Sequence, residues 1–225
     1  HAENARSRRL GQSTTTTLAA VLHTGWNELV QLVGASSVSD DSCQGRNDCE
    51  FRAVLASSIA RGWASLRSDV SPDEVALAAL LSESGELLLW YFAPELPLKV
   101  ADELASGRAF RPLRAQEQAI GFTFRQMTLA LVEAWELPQI IALLIRGTDS
   151  LRANIARLAV DTARDIVANS RHPSIPAQLV NVKRLIPGAS YAQLLAPVPI
   201  ADDYREEVLL AVSAESAPQG GRKPQ

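Results

Sequence analysis

Apolar residues recur at three- and four-residue intervals through most of the chain, the spacing that turns one face of an α-helix toward a core. Leu18, Val21, Leu22, Trp26, Leu29, Val30 and Val33 keep this rhythm near the start, as one buried face, and Gly25 divides the stretch into two helices. Phe51, Val54, Leu55, Ser58, Ile59, Trp63 and Leu66 repeat the pattern, with Asn47 and Glu50 spaced as a capping box ahead of it. Ser71-Pro72-Asp73-Glu74 is the strongest helix start: a capping hydroxyl, a proline suited to the first turn, and two carboxylates at the positive end of the helix dipole. The helix it opens carries Val75 through Leu80 and beyond, until Pro94 and Pro97 forbid continuation past Tyr91.

Further on, Gly107 to Arg114 reads as an Arg- and Gly-rich loop. A helix is predicted from about Gln116 to Trp135, with Ile120, Phe124, Met127, Leu131 and Trp135 on one side. Leu137-Pro138 makes a corner, and Pro138 starts a short apolar helix that Gly147 stops. Ile155, Leu158, Ala159, Thr162, Ile166 and Val167 mark another helix, and Ser190 with Gln193 caps a last short one after the Pro187-Gly188 turn. Strand signals are scarce and no fixed repeat period is visible, so the pattern predicts a single all-α domain. Its organisation divides into an N-terminal helical segment (1–45), a helical core (46–200), and a C-terminal extension (201–225) whose end, Gln219 to Gln225, reads as a disordered tail.

Composition narrows this picture mostly by exclusion. The 225 residues suffice for one sizeable core, and 47% hydrophobic against 21% charged residues is the balance of a globular chain. A net charge of −3, with no basic stripe beyond Arg6 to Arg9, offers a nucleic-acid partner nothing to hold. No apolar run approaches the ~18 residues a membrane span needs. The polar, basic start has no apolar leader after it, so a cytoplasmic location without membrane contact is expected. Cys43 and Cys49 lie in a polar stretch without CxxC spacing; a disulfide across so short a loop is geometrically possible, and free thiols are the expectation in a reducing cytosol.

Catalytic chemistry is sparse. The three histidines, His1, His23 and His172, never fall at ligand spacing on one helix. His23 reads as structural and His172 as solvated. Ser82 and Ser84 lack the G-x-S-x-G frame and a preceding strand. Asp40-Asp41 and Asp202-Asp203 are adjacent pairs that do not converge, and read as solvated loop charge. No glycine-rich phosphate loop occurs. The residues by themselves nominate no catalytic group, metal ligand or cofactor.

The order of segments carries a resemblance. ValAlaLeuAlaAlaLeuLeuSerGluSerGlyGluLeuLeuLeu (Val75 to Leu89) resembles the signature helix of the HD superfamily, in which an apolar helix ends in Leu-Leu-His-Asp-Ile-Gly. Leu80, Leu81 and Gly85 match its frame, with Ser82 at the His and Glu83 at the Asp. Glu117 to Pro138 is similar to the HDOD branch, the HD-related output domain: Gly121, Trp135, Leu137 and Pro138 fit, and Phe124 stands at a His. Ile140 to Asp149 is similar to the next helix of that family, with Gly147 and Thr148 where histidines are common. Ile155 to Arg164 is similar to its Ala-Asp helix, with Asp161 at an Asp that binds metal in active relatives. Leu18 to Val33 resembles the helix pair that precedes the HD part, and Asn4 to Arg9 its Asn-Ser-rich segment. The likeness covers roughly Asn4 to Ala168.

The resemblance implies an HD-like all-α fold and a role in bacterial signal transduction, where such domains are often coupled to receiver or cyclic-dinucleotide modules. The departures imply a degenerate site, because metal-dependent phosphohydrolysis needs imidazole and carboxylate ligands that Ser82, Glu83, Phe124 and Asp161 do not supply together. The expectation is therefore a regulatory protein that does no chemistry and binds a protein partner. The alternatives are a sensor of a small anionic ligand or nucleotide, with Ser82, Glu83 and Asp161 facing a cavity near Arg157 or Arg52, and residual metal-dependent phosphohydrolysis. If Phe124 fills that cavity, the sensor reading fails.

Overall fold

The computed structural model describes residues 15–35, 43–147 and 150–216. Every regular element among them is helical, as the patterning predicts. In chain order they are α1 (Thr17–Thr24), α2 (Trp26–Ala35), α3 (Gln44–Ala64), α4 (Pro72–Leu81), α5 (Ser84–Phe92), α6 (Glu95–Ala105), α7 (Pro112–Ile120), α8 (Phe124–Ala134), α9 (Gln139–Arg146), α10 (Leu151–Ala168), α11 (Ile175–Leu185), α12 (Tyr191–Leu195) and α13 (Asp202–Ser216).

Helix α3 lies at the centre, packed most extensively against α4 and α10. Its small residues Ala53, Ala56, Ala60 and Ala64 let those neighbours approach, and Leu55, Ile59 and Trp63 fill the space between. Burying side chains of that size stabilises the fold by roughly 1.5–3 kcal/mol each. Trp63 is wholly buried, and its indole N–H donates to the Leu194 carbonyl oxygen at 2.7 Å. Gly62 makes the same approach possible, since a Cβ there would lie 2.5 Å from Pro197 Cβ. In the C-terminal extension, Tyr204, Val208 and Val212 of α13 close the main core. A second cluster joins α4, α8, α9 and α10 through Ala78, Val132, Ile141, Leu144 and Ala153. A third joins α6 and α7 through Val100 and Ala115.

Several helix ends follow the predicted chemistry. Ser190 and Gln193 form the expected capping box at α12, and Thr123 with Gln126 forms another at α8. Helix α9 runs from Pro138 to Gly147, which closes it in the left-handed conformation at φ +67°. Ser71 does stand at the start of α4, but its hydroxyl makes no capping bond, so Pro72, Asp73 and Glu74 carry that start. The Asn47–Glu50 box does not form. Helix α3 already begins at Gln44, which places Asn47 and also Cys49 inside it rather than in a polar loop, and Cys49 is buried.

Other expectations are corrected by tertiary packing. Helices α1 and α2 form where Gly25 divides them, yet neither buries a residue: Leu18, Leu22, Trp26, Val30 and Val33 are all exposed. Phe51 and Val54 of α3 are also exposed, because only the other side of that helix meets α4 and α10. The helix predicted across Gln116–Trp135 parts at Gly121, whose φ of +81° ends α7, and Pro112 starts α7 inside the predicted loop. Helices α6, α11 and α13 were not predicted. Pro97 and Pro176 sit in first turns, where no backbone N–H is missed, so they restart helices as readily as they stop them. Asp202 and Asp203 are then first-turn carboxylates rather than loop charge. The stretch Pro72–Phe92, 21 residues, is apolar and long enough by composition to cross a membrane, contrary to the expectation from run length. It is interrupted at Ser82-Glu83, and the Val75, Ala76, Ala78 and Ala79 side of α4 is buried in the protein core.

Candidate functional site

The interruption between α4 and α5 places a carboxylate in the interior. Helix α4 ends at Leu81, Ser82 caps it, and Glu83 turns inward with only 3% of its surface exposed. The turn is held by the Ser82 hydroxyl, which donates to the Ala78 carbonyl at 2.7 Å. It is held again by Thr128 of α8, whose hydroxyl lies 3.2 Å from the Ser82 carbonyl and accepts from the Gly85 amide at 3.0 Å. Ser82 is thus engaged in closing a helix end.

Both oxygens of Glu83 are occupied by guanidinium groups. Arg52, from α3, donates from Nε at 3.2 Å and from Nη2 at 2.9 Å to Oε2. Arg164, from α10, donates from Nη2 at 2.8 Å to Oε1. The same Arg52 Nη2 lies 2.7 Å from Glu86 Oε2, one turn along α5, and Glu86 Oε1 accepts from the Trp90 indole at 3.2 Å. Charge-assisted bonds of this kind are the strong ones, and in a buried pair each partner cancels a charge that would otherwise be costly to desolvate. Burial opposes the Arg52 charge, but Glu83 and then Glu86 outweigh it and hold the guanidinium more firmly protonated than usual.

Asp161 stands at the outer edge of this group. Arg164 Nη1 is 3.9 Å from its Oδ1, and Arg157 Nη1 is 3.5 Å from its Oδ2. Arg164 therefore bridges Glu83 and Asp161, so the structure joins the two predicted carboxylates through a cation rather than around a cavity. Burial raises the Asp161 carboxyl above its ordinary range, against the opposing pull of Arg164 and Arg157. Phe124 stands apart from the ions. Its amide donates to Gln116 Oε1 at 2.9 Å, and its ring packs with the Val100–Ala109–Ala115 cluster. It completes a core.

Cys49, Glu83 and Glu86 bring one ligand atom each within 4.8 Å of one another, a spacing compatible with a cation. Arg52 Nη2 already lies within hydrogen-bond distance of both carboxylates. The Cys49 thiol is pushed well up by burial and then by Glu86, so it stays neutral and a poor ligand. A metal ion would have to displace Arg52. The donor set suits a guanidinium better than a metal.

Two other places merit the same reading. A cavity of about 370 Å³ is walled by Val70, Ile140, Leu143, Leu144 and Leu151, with Asp69, Ser150 and Arg152 as its polar lining, so it does not border on Glu83 or Asp161. At the end of α10, Ser174 Oγ lies between His172 Nδ1, at 2.8 Å, and the Asp165 carboxylate, to which it donates. A nucleophilic serine needs the imidazole between itself and the acid, whereas here the serine is in the middle. The trio is a latch, reinforced by the Tyr204 hydroxyl donating to the His172 carbonyl at 2.7 Å, and His172 is ordered rather than simply solvated. His23 is exposed on α1. His1, Arg6 to Arg9, Asp40, Asp41, Thr148 and Gln219 to Gln225 lie outside the described residues.

Sequence reasoning named Arg52, Glu83 and Asp161 but missed Arg164 and Glu86. A signal existed for both: Arg157, Asp161 and Arg164 are spaced four and three apart, and Glu83 and Glu86 three apart, so each set shares a helix face. In comparisons with known proteins, no curated protein and no solved structure matched the chain. A protein family did match, over residues 3–150, under the description HDOD domain.

Proposed function

Since the chain belongs to the HDOD domain family, we propose that it is a non-catalytic regulatory member, a signal-transduction protein of the cytoplasm that acts by binding a protein partner on its helical scaffold. One observation carries this reading: Glu83, at the position where active relatives by resemblance keep a metal-binding Asp, is clamped on both oxygens by Arg52 and Arg164. Phosphohydrolysis in such a site needs an open metal that can activate water. Here a fixed guanidinium takes the cation's place and brings no exchangeable water.

The sensor alternative has less support. Arg52, which would meet an anionic ligand, is spent on Glu83 and Glu86, and the cavity described above lies elsewhere.

The test is metal analysis of the purified chain together with an assay on bis(p-nitrophenyl) phosphate in the presence of manganese, magnesium or iron(II). Neither stoichiometric metal nor turnover is expected. Metal-dependent turnover that disappears in Glu83→Gln overturns the proposal.

A further inference from the structure

Helices α1 and α2 meet at the Gly25 corner, and neither packs extensively on the rest of the described chain. Along α2, Trp26, Leu29, Val30 and Val33 follow the i, i+3, i+4, i+7 spacing of a single face. Of these, Trp26 is 73%, Val30 50% and Val33 67% exposed, while Leu18 and Leu22 of α1 are 63% and 70% exposed. An apolar surface of this kind is normally covered.

We infer that a second copy of the chain covers it, the two copies packing these exposed apolar side chains against one another about a two-fold axis. This does not depend on the inertness of the Glu83 site. Between Thr17 and Ala35 the only Asp, Glu, Lys or Arg is Glu28. A basic, acidic or phospholipid partner would find almost nothing to pair with, and helices that lie on membranes carry a cationic face that these two helices lack. A two-fold contact needs no complementary charge, because the same apolar patch serves both sides. The area also fits: Leu18, Leu22, Trp26, Val30 and Val33 together expose on the order of 700 Å², close to what each partner contributes to a stable interface.

Sedimentation velocity of the full chain from about 1 to 100 µM tests this. The expected result is a reversible species of twice the 24.3 kDa chain mass. Leu22→Lys and Val30→Lys should each weaken association by about 100-fold or more, with circular dichroism unchanged. Val30→Ala, which leaves the helix intact, should weaken it about 10-fold. Leu210→Lys, a control at an equally exposed position on α13, should leave the mass unchanged. A monomer throughout the range overturns the inference, including one in which α1 and α2 have docked on Phe51 and Val54 of their own chain. So does a dimer indifferent to both lysine variants.

Discussion

The Gly85 amide donates to the Thr128 hydroxyl at 3.0 Å, and this contact sets the distance between α5 and α8. A Cβ at position 85 would stand 2.3 Å from the Phe124 carbonyl oxygen and 2.7 Å from the Thr128 amide. Both obstacles are backbone, so neither can swing away. Position 85 has no room for a side chain because α5 and α8 cross there, whatever stands at Ser82 and Glu83.

Gly85→Ala should therefore destabilise the fold by about 3 kcal/mol, at the upper end of overpacking costs. Thr128→Val, which fills the same space but strands a buried amide, should cost about 1–3 kcal/mol. Thr128→Ser should be close to neutral. Urea unfolding of the three variants checks the ranking.

Replacing Arg52 by Met leaves Glu83 with Arg164 alone and takes from Glu86 its nearest cation. Removing one member of a buried ion pair typically costs about 3–5 kcal/mol, because the partner stays buried and uncompensated. The double variant Arg52→Met/Glu83→Met should lose less than the sum of the single changes. A double-mutant cycle by urea unfolding reads that coupling directly.

The raised carboxyl of Asp161 fixes a sign for pH dependence. A group whose folded pKa is raised favours folding in its protonated form. That contribution is fully present below the ordinary value of 3.8 and is lost as pH rises through the raised folded value. Asp161→Asn cannot ionise and so keeps it. The Asp161 side chain is 42% exposed, so solvent screens the effect: at neutral pH the variant should melt no lower than the parent, with a small gain that closes below the ordinary carboxylate value. A lower melting temperature at neutral pH would mean that the Arg157 and Arg164 pairs outweigh burial.

The two thiols should separate by rate. Cys49 is fully buried and its thiol is held neutral, whereas Cys43 is only partly covered. Ellman's reagent on the native protein should modify one thiol quickly, and the second only after denaturant is added. Two fast equivalents would place Cys49 nearer the surface than its packing implies.

What could be read in the sequence follows the range of the forces involved. Helix periodicity and ends such as Ser190–Gln193 or Gly147 arise within one turn, so they were visible. Periodicity says that a face is apolar, not that anything lies against it, and Val30 and Leu55 therefore looked alike although one is exposed and the other buried. The pairing of Glu83 with Arg164 spans 81 residues, and only the packing of α10 on α3 and α4 decides it. Gly121 reads equally well as a helix interior or a helix end until its backbone turns left-handed.

The Trp63 indole bond to Leu194 has a consequence for where this protein can be cut. The family match ends at residue 150, but the ring near the C-terminal end of α3 finds its hydrogen-bond acceptor 131 residues further along. A fragment trimmed to the matched region would keep the tryptophan and lose its lid, with Leu194, Leu195 and Val208 gone from the same interior. The smallest piece that melts as one transition should therefore reach through α13, and amide exchange should slow together in the second half of α3 and in the far C-terminal helices.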